Sequence, residues 1–132
     1  MPLDYEIDPA RRLVIARGHG VLTHDDLTQY QNAVWSKPEV QGFNEIVDIT
    51  GVEAFKFESS RRVRELAVLA TGMETTQGSR LAIVASEDSA YGLARMYKSY
   101  RDVQPGSTKD VSIFHAFDDA IRWLATDAPP DS

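Results

Sequence analysis

The chain contains no cysteine among its 132 residues. That absence excludes disulfide bonds, thiolate catalysis and zinc sites built on cysteine. It fits a reducing compartment. The amino-terminal stretch lacks the apolar core of a signal peptide, and no apolar run is long enough to span a bilayer. We therefore expect a cytoplasmic protein with no membrane span.

Positive charge is scarce, with 14 lysine and arginine residues against 20 acidic ones and a net charge of −6. Because contacts to phosphate dominate affinity for nucleic acids, this balance argues against DNA or RNA as a partner. It also disfavours an anionic membrane surface. The length is that of one domain.

Motifs of nucleotide-binding and hydrolytic sites are missing as well. The sequence has neither G-x-G-x-x-G nor G-x-x-x-x-G-K-[ST], and it lacks the G-x-S-x-G of serine hydrolases. His19, His24 and His115 are candidates for a general base, but their spacing is not that of a metal site. We predict no metal, no cofactor and no catalysis; an enzyme using His19 or His115 is the less favoured alternative.

Hydrophobic patterning predicts the element order ββαβαβαβα. Alternation over residues 3–8 and the apolar stretch Arg12–Arg17 indicate an antiparallel hairpin, which Gly18 and Gly20 end. Thr23, followed by two acids after His24, marks the start of the first helix. The later elements are strands at Glu45–Thr50, Arg80–Ala85 and Asp110–Ala116 and helices starting at Ser59–Ser60, over Ala90–Tyr100 and over Phe117–Ala125.

This order indicates a single α/β domain over residues 1–125. Strands that alternate with helices favour a largely parallel sheet, and the opening hairpin makes it mixed. About four helices cover the sheet. Residues 126–132 (TDAPPDS) are polar and contain two prolines, so we predict a disordered tail.

The central stretch resembles STAS or SpoIIAA-like domains, the group that contains anti-sigma-factor antagonists. In those domains a strand ends in a segment like D-L-S-G-V, followed by an acid, a Ser-Ser pair and a glycine that opens a helix. Here residues 48–52 read DITGV and residues 58–61 read ESSR. The RLAIVA strand and YGLARMY helix look more like the STAS/SEC14-type branch of small bacterial proteins, which is similar in fold to lipid-carrying CRAL-TRIO domains.

The resemblance implies a phosphorylation site. In the antagonists a partner kinase phosphorylates the first serine of the pair, and the phosphate controls partner binding. Carried over, that residue is Ser59, and Arg61, Arg62 and Arg64 lie close enough in sequence to contact the phosphate. A phosphate adds nearly two negative charges, which a helix amino terminus favours. The alternative is an ordinary helix cap beside a solvated basic face.

Aromatic and methionine residues indicate a second kind of site, an apolar ligand pocket. Two of them alternate with Lys56 in the loop predicted after Gly51, and three lie on the third helix. A pocket walled by such side chains would take a small apolar ligand. Trp35 is assigned to the same pocket or to an oligomer interface, where aromatic residues are enriched. The predicted pocket residues are Phe55, Phe57, Tyr91, Met96 and Tyr97.

Our interpretation is a non-catalytic regulatory or binding module that engages a protein partner or a small apolar ligand. A carrier of lipids or fatty acids is the main alternative. We also expect a homodimer, because Val68 and Leu69 lie off the core stripe of their helix and would form an apolar patch with Phe55 and Phe57.

Overall fold

The computed structural model of the protein describes residues 2–73, 79–107 and 109–125. The tail, residues 126–132, lies outside the described residues. None of the described helices is long and apolar enough to cross a membrane. In chain order the elements are β1 (Leu3–Asp8), β2 (Leu13–Thr23), α1 (His24–Val34), a 3-10 turn (Pro38–Val40), β3 (Asn44–Lys56), α2 (Ser60–Gly72), β4 (Arg80–Val84), α3 (Asp88–Asp102), β5 (Asp110–Phe114) and α4 (Phe117–Ala125).

The five strands form one sheet in the order β1-β2-β3-β4-β5. The β1–β2 pair is antiparallel and the remaining pairs are parallel, which confirms the predicted α/β class. Each crossover joins neighbouring strands in the same direction, so right-handed connections place α1, α2 and α3 on one face. The order never reverses. The sheet therefore has no topological switch point of the kind at which open α/β sheets usually bind ligands.

Both faces of the central strands are buried. On one face Val14 and Leu81 pack with side chains of α1 and α3. On the other face Ile15, Ile46 and Val84 pack with α4 around Ala120. Because successive side chains of a strand point to opposite faces, burial on both sides requires a continuous apolar run. The predicted central strand Arg80–Ala85 is confirmed on this basis, with its end one residue earlier, at Val84.

Local signals place most element ends within two residues. Thr23 caps α1 as predicted: its hydroxyl accepts a hydrogen bond from the Asp26 N–H at 3.1 Å, and the Asp26 carboxylate accepts one from the Thr23 N–H at 2.9 Å. Helix α4 has the predicted bounds. Helix α3 begins at Asp88 and ends at Asp102, two residues beyond the prediction at each end, and β5 ends at Phe114 rather than Ala116.

Strands β2 and β3 are much longer than the sequence predicts. The prediction ended β2 at its glycines and β3 at Thr50, whereas β2 continues to Thr23 and β3 to Lys56. The register shifts between Arg17 and His19 and again between Gly20 and Val21, so irregularities absorb the glycines inside the paired strands. Phe55 accordingly lies on β3 and not in a loop.

Gly18 permits a close approach of the two strands. A Cβ atom there would lie 2.8 Å from Cγ2 of Val52, and one at Gly51 would lie 3.0 Å from the carbonyl oxygen of Gly18. The side chain of Val52 is branched at Cβ and cannot easily rotate away. These glycines therefore maintain the pairing that the sequence-based prediction assumed they would end.

The paired segments His19–Thr23 and Gly51–Lys56 form what we call the β2–β3 arm. Pairing between β3 and β4 stops at Asp48, where it meets Val84. The arm therefore extends beyond the rest of the sheet, and among the described strands β3 has a neighbour on only one side there.

The glycines of the chain provide a test of this packing. We expect Gly18→Ala to lower the free energy of unfolding by about 1–3 kcal/mol, because the new methyl group meets Val52. Gly92→Ala is the matched control: Gly92 is exposed within α3, and its Cβ would meet nothing within 4 Å. That change should raise stability by about 0.5–1 kcal/mol. Urea unfolding followed by circular dichroism measures both, and equal effects would contradict the packing described.

Candidate functional site

A largely apolar cavity of about 90 Å³ lies between the sheet and helices α1, α2 and α3. Strand β3 forms its floor with Glu45, Val47 and Ile49, which are alternate residues and therefore share one face. Val47 lies in the middle of the central strand but is only half-buried, because it borders this space. The remaining lining residues are Leu22, Leu27, Tyr30, Gln31, Phe55, Phe57, Val63, Leu66, Leu81, Ile83, Leu93, Ala94 and Tyr97.

Three of the five predicted pocket residues line this cavity, namely Phe55, Phe57 and Tyr97. The rings of Phe55 and Phe57 contact each other, with centroids 5.8 Å apart. Tyr91 and Met96 are not among the lining residues: Tyr91 stacks on His115 with centroids 4.6 Å apart, and Met96 is exposed on α3. The face of α3 that borders the cavity is marked instead by Leu93 and Tyr97, four residues apart.

One end of the cavity carries a buried carboxylate, Glu45, which is 5% exposed. Its Oε2 accepts hydrogen bonds from the Tyr30 hydroxyl at 2.6 Å and from Trp35 Nε1 at 3.1 Å. Its Oε1 accepts one from Lys109 Nζ at 3.1 Å. The sequence-based prediction treated Glu45–Thr50 as apolar with Asp48 as its one charge, and so it missed the most important charged side chain of the strand.

Two buried cations lie at this end of the molecule. Lys109 Nζ lies 3.3 Å from the centroid of the Trp35 ring, so the ammonium group contacts both a carboxylate and an aromatic face. Arg101 is 1% exposed and donates from Nη1 to the Tyr97 hydroxyl at 2.9 Å. Burial lowers the pKa of Lys109 and of Arg101, and the charge of Glu45 opposes that shift. We call Glu45, Tyr30, Trp35, Lys109, Arg101 and Tyr97 the Glu45 cluster.

Trp35 belongs to the Glu45 cluster and not to an exposed surface. Its ring is 4% exposed, whereas the sequence placed it in a ligand pocket or an oligomer interface. The indole N–H needs an acceptor when it is buried, and Glu45 and the Tyr30 hydroxyl supply it. The spacing of Tyr30 and Trp35 on α1 could not show this, because Glu45 is on a different element.

The two tyrosines of the Glu45 cluster stay protonated. Burial raises the pKa of Tyr30 and of Tyr97 well above the usual value, and the nearby charge of Glu45 raises both further. The Tyr30 hydroxyl uses its proton on Glu45. The Tyr97 hydroxyl accepts from Arg101, and in the described part of the chain its own proton has no acceptor within hydrogen-bond distance. Tyr97 is also one of the residues that line the cavity.

Ser59 lies at the amino terminus of α2, in the N-cap position that the sequence predicts. Its side chain is exposed and makes no capping hydrogen bond, so it is not a conventional N-cap. The neighbouring arginines face acids: Arg62 lies 3.2 Å from Glu65, and Arg61 lies 3.6 Å from the same carboxylate. Arg64 is exposed on α2.

The histidines considered as general bases are not among the residues that line the cavity. His19 Nε2 lies 2.8 Å from Asp4 Oδ2, and both side chains are exposed. His115 is exposed and stacks on Tyr91. His24 lies between Asp25 and Glu65, 3.6 Å from each carboxylate. His19 and His24 thus contact carboxylates, and in the described part of the chain none of the three rings is among the residues that line the cavity.

The apolar patch predicted for a dimer is only partly present. Val68 is 48% exposed on α2, but Phe57 is buried, and Phe55 and Leu69 are half-buried. Homodimerisation stays a prediction.

The raised pKa values of the tyrosines make stability depend on pH. Above about pH 10 unfolded tyrosines lose protons that Tyr30 and Tyr97 retain in the folded state, so each lowers the free energy of unfolding by about 1.4 kcal/mol per pH unit. Lys109 and Arg101 act in the opposite sense because burial lowers their pKa, Lys109 up to about pH 10.5 and Arg101 up to the pKa of unfolded arginine. Above pH 10.5 we expect Tyr97→Phe to remove a contribution of about −1.4 kcal/mol per pH unit from the slope of stability against pH. Urea unfolding at several alkaline pH values measures it, and equal slopes would contradict the assignment of Tyr97.

No protein-family model and no curated protein matches the chain. A solved structure does: the crystal structure at 2.25 Å resolution of an uncharacterized protein from the DUF3478 family with a SpoIIAA-like fold, from Shewanella loihica PV-4. The match covers 93% of this chain and 94% of that one, with a TM-score of 0.59 and 17% sequence identity. The chain therefore has the SpoIIAA-like fold, the fold of the STAS domains that its central stretch resembles.

Proposed function

We propose that the protein is a non-catalytic, STAS-type binding module that holds a small neutral molecule in the cavity over β3. The observation that supports this proposal is an apolar cavity whose wall contains a few polar side chains, among them Tyr97, whose hydroxyl proton has no acceptor in the described part of the chain, and Gln31, whose amide donates only to the Met73 sulfur at 3.6 Å. Ligand sites have this composition: mostly apolar walls and a few polar groups that fix orientation.

The cavity offers packing energy to a ligand. At about 24 cal/mol per Å³, apolar atoms that fill about 90 Å³ would add up to about 2 kcal/mol of packing energy. This energy favours binding of an apolar molecule.

The Glu45 cluster determines which chemistry the cavity favours. Glu45 borders the cavity as a carboxylate that already accepts three hydrogen bonds. An anionic head group would be repelled there, whereas the Tyr97 hydroxyl can donate to a carbonyl, ether or hydroxyl oxygen. We therefore propose a neutral ligand with one oxygen acceptor, such as a ketone, an alcohol or a phenol.

The size of the cavity favours a small ligand over a fatty acid. Its volume is below the roughly 150 Å³ of a cavity that holds benzene, and corresponds to about three water molecules. It is partly open to solvent, so a ligand can extend beyond it. A long-chain lipid would require α1, α2 and α3 to separate. Lys98 of α3, a basic residue that could hold a carboxylate head group, is paired with Asp102 at 2.7 Å.

A titration with matched small molecules tests the proposal. We expect 2-butanone and phenol to shift the amide signals of Val47, Leu93 and Tyr97 in a heteronuclear NMR spectrum, and butyrate to shift none of them. Val47→Phe fills the cavity and should abolish these shifts while the fold persists. Val68→Phe, on the exposed face of α2, is the matched control and should bind as the wild type does.

Two results would reject the cavity as a ligand site. One is the absence of shifts with every neutral probe at millimolar concentration. The other is equal binding by Val47→Phe and Val68→Phe. Either result would mean that the cavity is a packing defect of the core.

A second candidate function, phosphorylation-dependent binding of a protein partner, is favoured by the position of Ser59. Its hydroxyl is exposed and makes no capping bond at the start of α2, a helix of 13 residues. A phosphate there would interact with free N–H groups and the positive end of the helix dipole. Arg61 and Arg62 would have to exchange Glu65 for the phosphate.

Substitution of Ser59 separates this function from a structural role. Because the side chain makes no capping bond, Ser59→Ala should change the free energy of unfolding by less than about 0.5 kcal/mol. Ser59→Asp should abolish or create partner binding, as measured by affinity capture from the native cells. Ser60→Asp, at the adjacent exposed position, is the control. Identical partners for all three variants, with no phosphate at Ser59 by mass spectrometry, would reject this candidate.

A further inference from the structure

We infer that the open edge of the β2–β3 arm binds an extended basic peptide, which adds to the sheet as a strand. Strand β3 pairs with β4 only over Glu45–Asp48. From Gly51 to Lys56 the described chain pairs it with β2 alone. A strand with one free side presents backbone N–H and C=O groups that can pair with another chain. This inference is independent of the ligand proposed for the cavity.

A groove of about 340 Å³ lies along this open edge. One wall is β3 from Ile49 to Phe55, and the other is the segment from Ser86 to Leu93, which ends β4 and begins α3. Because β4 stops at Val84 while β3 continues, the groove occupies the position that a longer β4 would take. Neighbouring strands are about 4.8 Å apart, and the free edge of six residues is about 20 Å long. The groove therefore suits a single extended segment of about six residues.

The walls leave room for a peptide backbone. Ala54, Ser89 and Ala90 have small side chains and line the groove. Among the residues that the structure describes, Gly51–Lys56 pair with β2 and with no strand on the other side.

Charge determines the kind of segment that fits. The groove lining contains two carboxylates, Glu53 and Glu87, and no lysine, arginine or histidine. Both glutamates are exposed, and no cation of the described chain pairs with them. The chain as a whole carries a charge of −6. Lysine or arginine at alternate positions of an added strand would lie opposite these acids, and opposite-charge pairs across strands are favourable.

Two other occupants fit less well. An antiparallel second copy of the arm would bring its own Glu53 close to Glu53 of the first, and like charges across strands are destabilising. The chain's own tail, residues 126–132, has two aspartates, two prolines and no basic residue. It therefore lacks the positive charge that would pair with the glutamates of the groove, and its prolines lack the backbone N–H groups that an added strand donates. A basic segment of another protein remains as the occupant.

Synthetic peptides test the inference directly. The probe is a ten-residue peptide in which lysine alternates with threonine and valine. One control peptide has glutamate in place of lysine, and a second has N-methyl groups on alternate backbone amides. We expect the lysine peptide to bind and to slow hydrogen exchange at Gly51–Lys56. Both control peptides should bind at least about tenfold more weakly, since one lacks the charge and the other the backbone donors.

A pair of charge-reversed variants localises the binding. Glu53→Lys should weaken binding of the lysine peptide by about tenfold. Glu39 is an exposed glutamate on the 3-10 turn, and Glu39→Lys should weaken binding of the same peptide by less than about twofold. Fluorescence anisotropy at physiological salt measures both, and circular dichroism confirms that each variant is folded.

Three results would overturn the inference. They are equal binding of the N-methylated peptide, equal weakening by the two variants, and protection of the edge by a dimer of the chain itself. The first two would indicate non-specific attraction to an acidic protein. Light scattering of the free protein, together with its hydrogen exchange, detects the third.

Discussion

The buried carboxylate of Glu45 is the interaction on which the rest of the structure depends. It lies on the central strand and accepts hydrogen bonds from the carboxyl-terminal part of α1, through Tyr30 and Trp35, and from Lys109 just before β5. Removing one partner of a buried ion pair typically costs about 3–5 kcal/mol, because the other charge is left without compensation. Glu45 therefore fixes how α1 and the last strand are positioned relative to β3.

Strand β3 connects this buried cluster to the surfaces proposed to bind. Its first half carries Glu45, Val47 and Ile49 along the cavity, and its second half forms the open edge of the arm. Ile49, Phe55 and Leu93 line both the cavity and the groove. The cavity and the groove thus share walls, but their chemistry differs. The cavity is mostly apolar with a few polar side chains, whereas the groove is lined by two carboxylates and by the backbone edge of β3.

The features that the sequence predicts are the local ones. The Thr23 cap, the bounds of α4 and the apolar run of β4 depend on neighbouring residues, and all of them were predicted correctly. The length of β3 and the role of Glu45 were missed because they depend on distant residues. Glu45 binds a lysine 64 positions away. Gly18 and Gly51 look like strand breakers in the sequence, but in the structure they allow the two paired strands to approach each other closely. For the candidate site, the sequence predicts the aromatic residues Phe55 and Phe57 correctly but does not predict the buried carboxylate of Glu45.

The distance along the chain between Glu45 and Lys109 has a consequence for synthesis of the protein. While the ribosome has released only the part of the chain before residue 109, Glu45 has its tyrosine and tryptophan donors but not its lysine. A nascent chain at that stage leaves the carboxylate in water, because a charge without its partner is costly to bury. The sheet can therefore close around β3 only after the segment leading into β5 has emerged, so the buried ion pair makes completion of the core wait for residues 64 positions downstream of Glu45.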